Sequence, residues 1–327
     1  MLKFLCYTVV VLCLCLSVNA QELYPMTEPA SNVPKGTLGV RYFSETYNEL
    51  DRIRNLFALR VMYGVLPRLT VEATPTLSNH HNKTLPIEFP THNTPQIGVN
   101  HPYLFNGVDF YAKYRFLSID GQNSHFRAAL YGEYSILKVA HDEAEPTLLD
   151  DNSGWGAGLI TTYLKDHFAV SFTGGIIDPF KYKGEIPDQI PSLPGVSATV
   201  IYGKAYNYSL SFGYLLFPKT YSNYNQTNWN IYLEFLGKDY AAMQLNVSNI
   251  YGKGPQYSAP IPAGNKALLA NEYVEVYPGL QCILRSQLRI EFSLGFPMIS
   301  RSYVHFYPVY NIGIQRYFNF STKKKEN

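Results

Sequence analysis

Ionisable side chains recur at alternating positions of otherwise apolar segments: Arg41, Arg54, Arg60, Glu72, Asp109, Lys113, Arg115, Arg127, Glu133, Glu234, Glu275, Arg289 and Glu291. Both signs are present, and opposite charges fall close together at 109–115 and 127–133. Such groups need no covalent step to act. Lining a water-filled constriction, they select solutes by charge and size. They can equally fill a narrow barrel as a network of ion pairs, leaving no continuous pore.

Covalent and metal chemistry find less support. His80, His81, His92 and His101 share the long stretch 78–103 with several prolines, but their spacing matches no metal-ligand pattern. His125 adjoins Ser124, and neighbours along a strand point to opposite faces, so the two are not poised as base and nucleophile. His305 has no evident Ser or Asp partner nearby in the sequence. No phosphate-cradling glycine loop or glycine-flanked serine elbow occurs. The sequence predicts no enzyme, no cofactor and no metal site.

The elements that must position these charges are strands. In 106–117, Val108, Phe110, Ala112, Tyr114 and Phe116 share one face, while Asp109, Tyr111, Lys113 and Arg115 share the other. The same alternation returns at 126–136, 228–235 and 288–296. Connections alternate between tight and long. Tight turns are expected near Pro67, Asp120–Gly121, Lys165–Asp166, Gly203, Lys238–Asp239 and Ser286. Longer ones are expected at 45–52, 78–103, 138–153, 177–195, 217–226, 250–270 and 298–302. Short turns at one end and long loops at the other predict an all-β, closed, antiparallel transmembrane barrel with periplasmic turns and extracellular loops. The count comes to about 14 strands, including 196–203 and 240–249, or about 12 if a hairpin merges.

Bulk composition agrees. Charged residues make up 16% of the chain and aromatics 15%, against about 25% charge in soluble domains. At a mean hydropathy of -0.13 the chain is not a bundle of greasy helices. Residues 1–20 combine Lys3, an apolar stretch and a small-residue ending at Ala20, which predicts a cleaved signal peptide. A short periplasmic segment is then expected at 21–35, the barrel at 36–320 and a polar tail at 321–327. Cys282 alone remains after cleavage, so no internal disulfide is expected. The near-neutral charge gives no reason to invoke nucleic acid.

The last strand reads YNIGIQRYFNF from Tyr310. Tyr310, Ile312, Ile314, Phe318 and Phe320 fall on the lipid-side period, with Gly313 on the lumen side. Tyr310, Gly313, Phe318 and Phe320 are candidate elements of a C-terminal signal, because the strand looks like those by which the outer-membrane assembly machinery recognises its clients. Arg316 falls on the lipid face, where it must snorkel toward headgroups.

One stretch carries a family resemblance. NGVDFYAKYRFL, SIDGQNS and HFRAALYGEYS, from Asn106 to Ser135, together with LFALRVMYGVLPRLT from Leu56 to Thr70, resemble the bacterial outer-membrane proteins named after the meta-pathway of phenol degradation. That resemblance implies a small-molecule transporter for apolar or aromatic compounds and carries no catalytic residues. The expected partners are outer-membrane lipid, the assembly machinery and a small-molecule solute. The alternative is a structural, secretion or assembly-partner barrel without a continuous pore.

Overall fold

The computed structural model describes residues 24–49, 52–79, 102–137, 153–186, 196–220, 226–248, 257–259, 270–302 and 305–319. Strands β1 (Thr37–Glu49), β2 (Arg52–Leu66), β3 (Leu69–Ser78), β4 (Leu104–Asp120), β5 (Ser124–Leu137), β6 (Gly154–Lys165) and β7 (Phe168–Pro179) follow one another as an antiparallel meander. β8 (Tyr182–Ile186) and β9 (Val196–Ile201) leave that meander, and β10 (Ala205–Phe217) and β11 (Asn228–Tyr240) rejoin it. β12 (Gln244–Ser248) and β13 (Tyr257–Ala259) lie outside the barrel, and β14 (Asn271–Leu284), β15 (Leu288–Ile299) and β16 (Val309–Asn319) complete it. β16 pairs with β1 from Thr37↔Asn319 to Thr46↔Tyr310, which closes the ring at 12 strands.

Closure removes the free edge that hydrocarbon cannot satisfy. The outward face of each strand is apolar and exposed, as at Ile53, Leu130, Tyr134, Phe172, Ile231 and Ile312. The inward face is polar and buried, as at Arg41, Glu72, Lys113, Glu234, Gln281 and Glu291. An apolar exterior around a polar interior inverts a soluble protein and places this barrel in the bacterial outer membrane. A β-bulge between Arg115 and Leu117 reverses the alternation at the foot of β4, so Leu117 and Ile119 also face outward.

The lipid face yields a direct expectation. Ile314 lies near the middle of β16, 44% exposed on the outer wall. Ile314→Arg should cost about 2–4 kcal/mol in urea unfolding from lipid vesicles, as expected for a cation near the bilayer midplane. Ile314→Leu should be close to neutral. Equal stability of the two variants would put that face outside the hydrocarbon.

Of the two counts the sequence allows, about 14 spanning strands or about 12, the pairing gives 12. Segments 196–203 and 240–249 do not cross the membrane as new strands. They continue β10 and β11 beyond the barrel. Ala205 faces Tyr240 within the wall, Ala241 N–H donates to the Lys204 carbonyl at 3.3 Å, and Ile201 then faces Gln244 in the same register. β7 runs on into β8 likewise, with Ile177 opposite Ala205 and Tyr182 opposite Val200. The result is a four-stranded sheet, ordered β13-β12-β9-β8, growing from the rim. Gly203 is therefore no periplasmic turn, and Lys238 and Asp239 lie inside β11. The connection 218–227 falls at the turn end, with 67–68 and 285–287. A period-two pattern cannot separate one long strand from two joined by a turn.

A second difference concerns the N-terminal segment, expected to lie free in the periplasm. Residues 24–36 instead run through the barrel interior, with Tyr24, Ala30 and Val33 buried against the inner wall. Gly36, at φ +76°, turns the chain from the lumen into β1. Its N–H donates to the Gly64 carbonyl at 2.8 Å. Gly64 has to be glycine, since a Cβ there would lie 2.1 Å from the Pro34 carbonyl oxygen.

Candidate lumen site

The inner wall and the N-terminal segment meet through polar contacts. Met26 N–H donates to Glu234 Oε2 at 2.7 Å, and the Thr27 hydroxyl bonds Ser211 Oγ at 2.7 Å. Lys113 Nζ donates to Glu28 Oε2 at 2.9 Å and to the Pro29 carbonyl at 2.8 Å. Arg60 reaches Glu28 at 2.5 Å and Glu72 at 3.4 Å. Ala30 N–H donates to Thr162 Oγ1 at 2.9 Å, and Val33 N–H to Thr70 Oγ1 at 3.0 Å. The anchors come from β2, β3, β4, β6, β10 and β11, so the segment is tied to wall strands well apart around the ring.

Further charges form a second group beside Pro25. Arg41 donates to the Pro25 carbonyl and pairs with Glu291, which also lies 3.0 Å from Arg289. Gln281 Nε2 donates to Glu291 at 3.3 Å, and Gln281 Oε1 accepts from the Tyr232 hydroxyl at 2.8 Å. Gly313 belongs to this cluster, because a Cβ there would stand 2.2 Å from Glu291 Oε1. It serves lumen packing, whatever part it has in assembly.

At the extracellular rim, His305 folds into the barrel mouth. Its Nδ1 lies 2.7 Å from Glu275 and its Nε2 lies 3.2 Å from Glu45. The Tyr277 and Tyr307 hydroxyls donate to Glu275 as well. Desolvation of the buried ring works to lower its pKa, but the attraction of Glu275 and Glu45 and their hydrogen bonds hold it well above the ordinary histidine value. Arg54, near the same rim, pairs with Glu49 and donates to the Asn79 carbonyl at 2.6 Å.

The thirteen charges named from sequence are thus distributed rather than gathered into one ring. Arg41, Arg289 and Glu291 meet; Arg60 and Glu72 meet; Lys113 and Glu234 hold the N-terminal segment. Arg115 and Arg127 sit by the periplasmic turns instead. Arg115 donates to the Pro67 carbonyl at 3.1 Å, and Arg127 lies 3.6 Å from Asp120. Among the described residues, the carboxylates of Asp109 and Glu133 have no ion-pair or hydrogen-bond partner. Tyr310 points outward, and Arg316 lies on the same outer face with its guanidinium 5.4 Å from the Phe318 ring. Phe320, the signal at 1–20 and the histidines of 80–101 lie outside the described residues.

Beside the N-terminal segment the lumen keeps a cavity of about 120 Å³. Tyr111, Tyr131, Glu133, Asn207 and Tyr208 line it, with Ile160 and Leu236 supplying apolar wall. Tyr111 and Tyr131 stack with centroids 5.3 Å apart. Sequence reasoning missed Glu28, Glu45 and His305 because none lies on a strand it had assigned to the polar face. The prolines at 25, 29 and 34 around Glu28 mark an extended stretch that needs no ladder partner.

No family profile matches the chain, and no curated protein matches it. Among solved structures it is similar to an outer membrane channel from Pseudomonas putida F1, at 17% identity, TM-score 0.49, covering 91% of this chain and 100% of that one. It is also similar to the toluene transporter TodX of Pseudomonas putida, at 12% identity, TM-score 0.34, covering 92% and 98%. Outer membrane phospholipase A of Escherichia coli matches at 10% identity, TM-score 0.35, covering 88% and 94%.

Proposed function

We propose that this barrel is an outer-membrane channel for small molecules, apolar or aromatic compounds among them, kept narrow by residues 24–36. The carrying observation is what fills the lumen. A barrel of about 12 strands lies between side-chain-filled small barrels and open porins. Here the interior is occupied by a strip of chain held through hydrogen bonds and ion pairs, with a cavity left beside it. Contacts of that kind can be exchanged for water, which would let solute pass beside the strip.

The barrel is read as non-catalytic. Both ring nitrogens of His305 face carboxylates, a geometry that suits a charge cluster more than a base aimed at a nucleophile. The outer aromatic face of β16 is the part the assembly machinery would read. The resemblance of 56–70 and 106–135 to outer-membrane transporters supports the same assignment.

The test is single-channel recording of the refolded protein in planar bilayers, with heat-modifiable gel mobility as the folding check. The intact chain should give small steps, and deletion of 24–35 should raise the conductance several-fold. A folded deletion variant that stays silent would favour the structural alternative.

A further inference from the structure

We infer that the cavity beside the N-terminal segment is a binding site for small protonated organic amines that carry a short apolar body. The charge arithmetic of the wall points there first. Arg60 and Lys113 are shared between Glu28 and Glu72, at 2.5 Å, 3.4 Å and 2.9 Å. Two acids stand outside that set, with the buried Lys238 the further cation whose field reaches Glu133. Glu133 lines the cavity, and Asp109 stands one inward-facing position from Tyr111 along β4, itself only 6% exposed. Neither carboxylate has an ion-pair or hydrogen-bond partner among the described residues. A buried carboxylate without a partner is costly, and an incoming cation removes that cost.

The rest of the lining narrows the class of cation. Among the described residues no group of three or more His, Cys, Asp or Glu could hold a metal ion. Tyr111 and Tyr131 are stacked 19° from parallel, and Tyr208 lies in the same lining. Aromatic faces beside a carboxylate recognise an alkylammonium by cation–π attraction and a charge-assisted hydrogen bond. Asn207 adds a neutral acceptor, while Ile160 and Leu236 suit an apolar body. At about 120 Å³ the cavity is somewhat below the benzene-binding size of about 150 Å³, so the ligand must be small.

Glycines in the wall hold this space open. A Cβ at Gly156 would lie 2.3 Å from Glu133 Oε1, one at Gly175 2.0 Å from the Tyr131 hydroxyl, and one at Gly237 2.1 Å from Tyr208 Cε2. Three lining side chains therefore lie flat against backbone instead of crossing the lumen. As cargo recognition, such a site rests on the transport proposal; as binding, it is measurable in a barrel that never conducts.

Calorimetric titration of the full-length, detergent-solubilised barrel with n-butylamine, against its neutral counterpart n-butanol, tests it. The amine should bind about tenfold more tightly than the alcohol, and Glu133→Gln should weaken the amine by about tenfold while sparing the alcohol. Equal affinities for amine and alcohol, or no amine binding to the folded wild type, would overturn the site, whether or not the variant folds. Parallel bilayer recordings separate the two ideas. Amine binding in a silent barrel keeps the site and removes the channel; conductance without amine binding does the reverse.

Discussion

Arg41→Met is expected to destabilise the barrel by about 3 kcal/mol, and Arg41→Met with Glu291→Leu to cost less than the two single losses added together. Arg41 and Glu291 are both nearly inaccessible and pair directly across the interior. Removing the guanidinium leaves Glu291 buried beside Arg289 alone, at 3.0 Å, in place of two cations. Glu291→Leu alone takes the carboxylate from both Arg41 and Arg289, and an uncompensated buried charge costs more than the intact pair contributes. The double substitution removes one of those two cations as well, so it should cost less than the sum of the single changes. The remaining Arg289 holds the single loss at the low end of the usual range. Urea unfolding of the wild type, both single variants and the double variant closes the cycle. Losses that merely add would mean that Arg41 and Glu291 do not interact in solution.

The same substitution reaches the proposed pore. Arg41 also donates to the Pro25 carbonyl, so its loss removes one tether of the N-terminal segment. Glu234 remains bonded to Met26 and Lys113 to Glu28, which keeps the segment mostly in place. Conductance of Arg41→Met should accordingly rise, but by less than in the chain lacking 24–35. The hierarchy follows from geometry: tethers from several strands share the work, and none holds the segment alone.

The wall was legible in the sequence, and the contents of the lumen were not. Outward Ile312 and Ile314 against inward Asn311, Gly313 and Gln315 follow from the two-residue period, which a membrane barrel enforces over its whole length. The tight turns at 67–68 and 285–287 follow as well. The count stood between 14 and 12 because β9–β10 and β11–β12 continue past the rim, and the pattern continues there too. Glu28 and His305 escaped for another reason. Each belongs to irregular chain, whose placement depends on partners distant in sequence, such as Lys113 for Glu28 and Glu45 for His305. Periodicity carries no information about such contacts. The carboxylates were visible as residue types, but that Asp109 and Glu133 have no ion-pair partner among the described residues while Glu72 has Arg60 is a fact of packing.

His305 should make the stability of the barrel mouth depend on pH, with stability falling as the medium becomes alkaline. The ring is fully buried between Glu275 and Glu45, with Tyr47 and Tyr307 rings at 5.6 Å and 6.2 Å. Desolvation alone would lower its pKa; the two carboxylates overcome this and raise it well above the ordinary 6.5. A group whose folded pKa is raised contributes stability that is fully present below the unfolded value. That contribution is lost as pH climbs toward and through the folded value. The window therefore opens just above the ordinary histidine pKa and extends into alkaline solution, where tyrosines and lysines also titrate. His305→Gln isolates the effect, because it keeps a hydrogen-bond donor but removes the charge. The wild-type urea midpoint should exceed that of the variant at pH near 6 and converge with it as pH rises. Curves that stay parallel across the range would show that His305 has the same pKa folded and unfolded, so that Glu45 and Glu275 do not hold its proton.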